Sequence, residues 1–270
     1  MKVVILCGGE GTRMKEETEF KPKPLVLVGG KPILWHIMKM YAHYGYNEFI
    51  LTLGYKGEMI KDYFLNQNRY LNDFTLDTKS GKVDYHNNEC DDFQITFVET
   101  GLKSLTGERV RRAKKFIEGE DFMVTYGDGL ANIDIAKLAE FHKSQGTLGT
   151  ISGVHPITRF GVLSINEDNK KVEKFRQYGV IDEDMSPKQI HEARKSYMND
   201  FINGGFMVFK NSVLNYVHEN SMIEEAFPLL AKEGKLSVYE HTGLWKAMDT
   251  YKDVEEMNIL WQKDPFWKVW

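Results

Sequence analysis

The run Lys2–Cys7 (KVVILC) is short, apolar and rich in β-branched residues, and it stops at Gly8-Gly9. Such a run reads as a buried parallel strand rather than a helix. The pattern then alternates. Ile33–Tyr44 carries apolar residues at helical spacing (Ile33, Leu34, Ile37, Met38, Tyr41), with Gly45 as its stop. Glu48–Leu53 (EFILTL) reads as a second strand, Lys56–Asn66 as a second helix and Phe93–Glu99 as a third strand. The helical stretches Thr106–Phe116 and Ile133–Gln145 flank a fourth strand, Phe122–Tyr126, which ends at Gly127-Asp128-Gly129. Strand and helix alternating at these intervals predict an α/β fold built on a parallel sheet.

After Gly149 the texture changes. Thr150–Val154, Val162–Ile165 and Phe206–Phe209 are short β segments, and Asp182–Arg194 is charged and either helical or mobile. Ser221–Gly234 carries a helix and Val254–Gln262 another, and Trp261, Phe266, Trp267 and Trp270 crowd the end. No repeat or Gly/Ser linker divides the 270 residues. The expectation is one domain, 1–270, with a first half (1–149) and a smaller, β-containing second half (150–270).

A net charge of −4 offers no general attraction to nucleic acid or an anionic membrane, so any grip on phosphate must be local. Cys7 and Cys90 have no Cys or His neighbours at metal-ligand spacing, which argues against structural zinc. The eight histidines form no triad or metal spacing, and His36, on a predicted helix, reads as structural. No secretory leader and no membrane-length apolar run is evident, so a soluble cytoplasmic protein is expected.

The first strand opens into Gly8-Gly9-Glu10-Gly11-Thr12-Arg13. Three glycines let backbone N–H groups approach phosphate oxygens, Thr12 adds a hydroxyl donor, and Arg13 adds a planar cation. Glu10 and Arg13 stand where a dinucleotide fingerprint needs glycine, and no Gly-Lys-Ser/Thr of a P-loop follows. Alone, the loop reads equally well as a tight turn. Lys21-Pro22-Lys23-Pro24 follows, with two cations in a stiff stretch that the prolines hold extended. A preorganised lysine beside a phosphate loop can neutralise charge developing in phosphoryl transfer; the other reading is a solvated surface turn.

Taken with Gly29-Gly30-Lys31-Pro32-Ile33-Leu34, these residues resemble the sugar-phosphate nucleotidylyltransferase family. Lys31–Tyr41, Gly54-Tyr55-Lys56-Gly57, Tyr126-Gly127-Asp128-Gly129, Ile202-Asn203-Gly204-Gly205-Phe206 and Met248-Asp249-Thr250 resemble its glucose-1-phosphate cytidylyltransferase branch. The resemblance implies a Rossmann-like mixed α/β fold, a nucleotide-binding first half, an acceptor-binding second half and a homo-oligomer assembled through the C-terminal aromatics. It implies CTP and glucose 1-phosphate as substrates, CDP-glucose and pyrophosphate as products, and Mg²⁺ as cofactor. By position, Leu6, Gly8, Gly9 and Gly11 would cradle the nucleotide and Thr12 and Arg13 would bind its phosphates. Lys23 would meet the phosphate at the reacting centre, and Ser104, Thr106, Arg109 and Gly127 would line the nucleotide.

Asp128 and Asp249 match the metal-binding aspartates. Asp128 also stands just past a predicted parallel strand, where such sheets bind ligands, although a turn aspartate capping the next helix fits the same spot. Asp249 has only the resemblance behind it. Magnesium usually takes one or two carboxylates plus substrate phosphates, so two aspartates suffice. The implied mechanism is in-line displacement: an acceptor phosphate oxygen, already ionised, attacks the α-phosphorus. Arg13, Lys23 and Asp128 would carry the catalysis, without a general base or a covalent enzyme intermediate.

The acceptor end departs from the pattern. The family has a Glu-Lys-Pro after a phenylalanine, whereas here Phe175 precedes Arg176-Gln177-Tyr178-Gly179. Tyr126, Gln177, Tyr178, Asn203 and Gly204 are the candidate acceptor contacts, with Arg176, Lys188, Arg194 and Lys195 as possible replacement cations. A missing lysine forfeits on the order of 1.5–3 kcal/mol of charge-assisted contact to phosphate. The alternatives are another phosphorylated acceptor (a different sugar phosphate, or a phosphorylated amino acid or amide), dTTP or UTP in place of CTP, or an inactive nucleotide-binding regulator.

Overall fold

The computed structural model describes residues 1–155 except 88 and 118 (15 and 16 by backbone only), the backbones of Val162–Ile165 and Val172–Arg176, and residues 201–270. The principal elements are β1 (Val3–Cys7), α1 (Ile33–His43), β2 (Glu48–Leu53), α2 (Gly57–Leu65), β3 (Gln94–Glu99), α3 (Thr106–Arg112) and β4 (Phe122–Tyr126). They continue with α4 (Ile135–Gln145), β5 (Gly149–Val154), β6 (Ile202–Phe209), β7 (Leu236–His241) and α5 (Tyr251–Lys263).

Seven strands form one sheet in the order β7-β5-β6-β4-β1-β2-β3. β1 pairs parallel with β2 and with β4, β2 pairs parallel with β3, and β5 pairs parallel with β7. β6 is antiparallel to both of its neighbours. The sheet is mixed and mostly parallel, as expected, and strands from both sides of residue 149 share it. β1 is buried along its whole length, as a central strand covered on both faces must be. One apolar layer, with Ile5, Leu34, Ile37 and Phe206, lies on one side, and a second, with Val4, Val110 and Phe209, lies on the other. Among the described residues no helix is long and apolar enough to cross a membrane.

The stretch Ser221–Gly234 does carry a helix, Phe227–Lys232, which a 3₁₀ turn, Ile223–Ala226, precedes with a break between them. Pro228 explains the break, since proline suits a helix start better than its interior. The predicted segment Asp182–Arg194 lies outside the described residues.

The C-terminal aromatics pack on their own chain. Trp267 is fully buried, and Trp261, Phe266 and Trp270 pack against the same core. Trp267 is therefore committed to its own chain's core, whereas Trp261, Phe266 and Trp270 keep part of their surface exposed. Its indole N–H donates to His36 Nδ1 (3.3 Å), and His36 Nε2–H donates to the Val28 carbonyl (2.8 Å). One ring nitrogen accepts and the other donates, so the neutral imidazole satisfies both partners.

Burial pushes the His36 pKa down to about 4. The sign follows: its folded-state pKa lies below the unfolded value near 6.5, so the unfolded chain takes up the proton first. The stabilisation is complete above about pH 6.5 and is lost as pH falls through about 4. Urea unfolding should therefore show a loss of about 3 kcal/mol over this window. His36→Gln should be weaker at neutral pH but should lack this share of the slope. An undiminished slope in that variant would rule the assignment out.

Candidate active site

The carboxyl ends of β1 and β4 open onto a cleft of about 400 Å³, where parallel sheets bind ligands. All of Leu6, Gly8, Gly9, Gly11, Thr12, Arg13 and Lys23 line it, as do Ser104, Thr106, Arg109, Tyr126, Gly127, Asp128 and Asp249. Residues from five separate stretches of sequence thus meet on one cleft.

Close approach fixes two of its glycines. A Cβ at Gly8 would stand 1.9 Å from Arg109 Nη1, and one at Gly127 would stand 2.9 Å from the Leu6 carbonyl oxygen. A side chain at Gly8 would have to displace the Arg109 guanidinium, and one at Gly127 would have to push the Leu6 backbone away from the β4 end.

Lys23 starts a 3₁₀ turn, Lys23–Leu25, after the extended Pro22. The stiff segment is present, but Lys23 itself is in a turn rather than extended, because Pro24 falls at a favoured helix-start position. Its ammonium lies 2.7 Å from Asp128 Oδ2 and 2.9 Å from Asp249 Oδ1. Arg13 Nη1 lies 3.1 Å from Asp249 Oδ2. Burial alone would lower the Lys23 pKa, but the charge of Asp128 and hydrogen bonds to both aspartates outweigh it and raise the pKa. Lys21 pairs with Glu17 at 2.9 Å instead.

Asp249 reaches this cluster through backbone pairing. Trp245–Ala247 forms an antiparallel ladder with Gly129–Ala131, and the Met248 N–H donates to the Asp128 carbonyl (2.9 Å). The buried Asp253 carboxylate accepts the N–H groups of Asp249 (3.1 Å) and Thr250 (2.8 Å), closing a capping box at the start of α5. Asp253 was overlooked as a supporting residue, although Thr250-x-x-Asp253 is a legible cap signature.

The residues of the α3 wall are tied to the protein itself. Arg109 is buried and donates to the carbonyls of Gly8 (2.9 Å), Leu53 (3.2 Å), Gly101 (3.0 Å) and Leu102 (3.3 Å) and to Thr100 Oγ1 (2.6 Å). Ser104 donates to the Thr100 carbonyl. Thr106 donates to Glu224 (3.1 Å) and accepts the Ile223 N–H (3.0 Å), and the Tyr126 hydroxyl donates to the same Glu224 carboxylate. Glu224 therefore links α3 to the end of β4. No local sequence signal marks it.

On the acceptor side, Asn203 Oδ1 accepts the Gly205 N–H (2.9 Å) and the Gly204 carbonyl accepts the Trp245 indole N–H (2.7 Å). Neither Asn203 nor Gly204 is among the residues lining the cleft. Gln177 and Tyr178 lie outside the described residues, as do Lys188, Arg194 and Lys195; the side chain of Arg176 does too.

The donor set suits a hard divalent cation. Two carboxylates converge on a common point, as their contacts with one ammonium require, and among the described residues no group of three or more His, Cys, Asp and Glu could hold a metal. Phosphate oxygens would have to complete the ligand sphere, which is magnesium's habit. Burial pushes the Cys7 thiol pKa up, which leaves this neighbour without nucleophilic character.

The sequence pattern described as nucleotidyl transferase matches residues 2–263. The chain belongs to the nucleotidyl transferase family. Within that family it is 46% identical to a probable glucose-1-phosphate cytidylyltransferase of Bacillus subtilis (strain 168), over 100% of both chains. It is 39% identical to the glucose-1-phosphate cytidylyltransferase of Salmonella typhimurium, again over 100% of both. Among solved structures, HddC from Yersinia pseudotuberculosis, complexed with GMP-PN, superposes with a TM-score of 0.65 at 25% identity, covering 96% of this chain and 99% of that one.

Proposed function

We propose that this nucleotidyl transferase moves a cytidylyl group from CTP to glucose 1-phosphate, releasing pyrophosphate and forming CDP-glucose. The observation that carries the reading is Lys23 between Asp128 and Asp249 at the mouth of a glycine-built cleft. The two cytidylyltransferase relatives, similar over their whole lengths, support CTP and glucose 1-phosphate as the pair.

The loop Gly8–Arg13 offers backbone N–H groups and the Arg13 guanidinium to the triphosphate. The acceptor phosphate is ionised at neutral pH, so no side chain has to remove a proton. Lys23 neutralises charge on the phosphates as the α-phosphorus is attacked in line, and the cleft holds both partners together. A divalent cation held by Asp128 and Asp249, magnesium in this reading, would supply Lewis-acid neutralisation of phosphate charge. The enzyme is proposed to be cytoplasmic and homo-oligomeric.

A second reading keeps CTP and changes the acceptor. It is favoured by Arg176-Gln177-Tyr178 after Phe175, where the family's Glu-Lys-Pro is absent. A pyrophosphate-release assay decides, pairing CTP, dTTP and UTP with glucose 1-phosphate, other sugar phosphates and a phosphorylated amino acid or amide. Release with CTP and glucose 1-phosphate is expected. Release with CTP and another acceptor only would move the assignment to the second reading. CTP binding without release from any pair would leave a nucleotide-binding regulator.

A further inference from the structure

We propose that Tyr55 and Lys56, in the turn between β2 and α2, are positioning residues for the triphosphate: they hold the chain beyond Gly11 in the shape that turns Thr12 and Arg13 to the cleft. The inference deepens the proposed function and rests on its reading of Gly8–Arg13 as the triphosphate loop.

Lys56 has a disfavoured backbone. It sits at φ 50°, ψ 36°, the left-handed region that suits glycine and not lysine. The other non-glycine residue with positive φ among the described residues is Asn220, and asparagine tolerates it. A lysine keeps such a conformation only where contacts hold it, and residues of this kind cluster at functional turns. Here the Lys56 ammonium donates to the Glu19 carbonyl. Beside it the Tyr55 hydroxyl donates to the Thr18 carbonyl (3.0 Å), and the Tyr55 N–H donates to the Gly8 carbonyl (3.2 Å). The turn lies close against β1, since a Cβ at Gly54 would stand 2.7 Å from the Gly8 carbonyl oxygen. One turn thus grips both ends of the loop: Gly8, where it leaves β1, and residues 18–19, where it returns.

Between those ends the segment is closed on itself. Thr12–Met14 is a 3₁₀ turn and Lys15–Thr18 a short helix. The hydroxyl of the buried Thr18 lies within hydrogen-bond reach of the carbonyls of Met14 (2.9 Å) and Gly11 (3.1 Å). Arg13 stands inside this closed unit, its side chain 75% exposed and its guanidinium 3.1 Å from Asp249. A side chain so exposed takes its direction from the backbone beneath it, and that backbone hangs on Tyr55 and Lys56. When the hold is lost, only a fraction of molecules presents Thr12 and Arg13 correctly, and the apparent affinity for triphosphate falls by that fraction. Once the triphosphate is bound the geometry is the same, so turnover at saturation is kept.

The test uses the whole chain with Tyr55→Phe, which removes one hydroxyl, and Lys56→Gly, which removes the ammonium and relaxes the backbone. Two hydrogen bonds, one from a charged donor, shift the equilibrium between held and loose segment by on the order of a hundredfold. Passing from mostly held to mostly loose, the double variant should raise the KM for CTP about tenfold and leave kcat and the KM for glucose 1-phosphate within about twofold. Lys56→Gly alone should raise the KM for CTP while leaving the melting temperature in place, a separation that a merely structural role does not give. A second readout is local. Trypsin can cut this stretch after Arg13 and Lys15, because Lys21 and Lys23 precede proline. Without nucleotide the double variant should be cut there about tenfold faster than the unaltered protein, with the sites located by mass spectrometry. Saturating CTP should bring both proteins to the same slow rate. An unchanged KM for CTP, an unchanged rate of cutting, or a fall in kcat alone would each overturn the inference. If the double variant does not fold, Lys56→Gly carries the test. Should no substrate pair release pyrophosphate, the cutting rates without nucleotide still decide whether Tyr55 and Lys56 hold the segment. Turnover with neither KM nor cutting altered would sink the hold and leave the activity standing.

Discussion

Lys23→Ala should lower kcat/KM for pyrophosphate release by about a thousandfold, roughly 4 kcal/mol of transition-state stabilisation, with the loss in kcat rather than in KM for CTP. The size follows from what the side chain does. It is an enclosed ammonium whose two partners, Asp128 and Asp249, are the residues read as cation ligands. Among the described residues no other lysine lines the cleft. The expected effect on the fold is small. Both carboxylates are partly exposed and can turn to water, and ion pairs of this kind contribute about 1 kcal/mol or less. Thermal melting should therefore shift by only a few degrees while turnover collapses. Unchanged turnover would remove Lys23 from the site, and a melting loss as large as the activity loss would make it a structural residue.

Arg109→Met should do the reverse, with the larger effect on the fold. One buried guanidinium serves carbonyls from Gly8, Leu53, Gly101 and Leu102 and the Thr100 hydroxyl. Methionine fills much of the volume but withdraws the guanidinium from all five acceptors. Leu53 keeps donors from Thr100 and Gly8 keeps the Tyr55 N–H, while the Gly101 and Leu102 carbonyls and the Thr100 oxygen lose this donor. The expected loss is about 3 kcal/mol, or roughly 6–10 °C in melting temperature. Because Gly8 and the 101–102 turn are released together, the KM for CTP should rise as well. Arg109→Lys should not rescue either property, since a single ammonium cannot reproduce the planar fork. Intact stability with lost CTP binding would show that Arg109 touches the nucleotide directly, as its sequence position suggests.

Much of this architecture could be read from the chain because it is local. β1, β2 and β4 are short apolar runs closed by glycine or a turn, and α1 displays its buried face at regular spacing. β7 escaped because Leu236–His241 mixes buried, half-buried and exposed residues at an edge of the sheet, so its hydrophobic signal is weak. The site divides in the same way. Gly8–Arg13 and Lys23 are close in sequence and carry their chemistry on their faces. Asp249 does not. Nothing around it distinguishes it from a turn aspartate, and only the ladder between 245–247 and 129–131 brings it to Asp128. The role of Arg109 was hidden for a related reason. Its partners are mostly backbone carbonyls, which leave no trace in residue identity, and they come from three separate stretches of chain.

That ladder also bears on when the protein can first work as it is made. Lys23 and Asp128 are synthesised early enough to meet in a partial chain, but Lys23 and Asp249 are separated by 226 residues. Until residues 245–253 emerge and α5 docks, the lysine has one carboxylate rather than two and the cluster carries a different charge. A nascent chain could fold its glycine loop and its first parallel strands while still unable to hold a nucleotide in the geometry described above. Competence would then arrive in one late step, together with the burial of Trp267 against His36, so that completion of the core and completion of the site coincide.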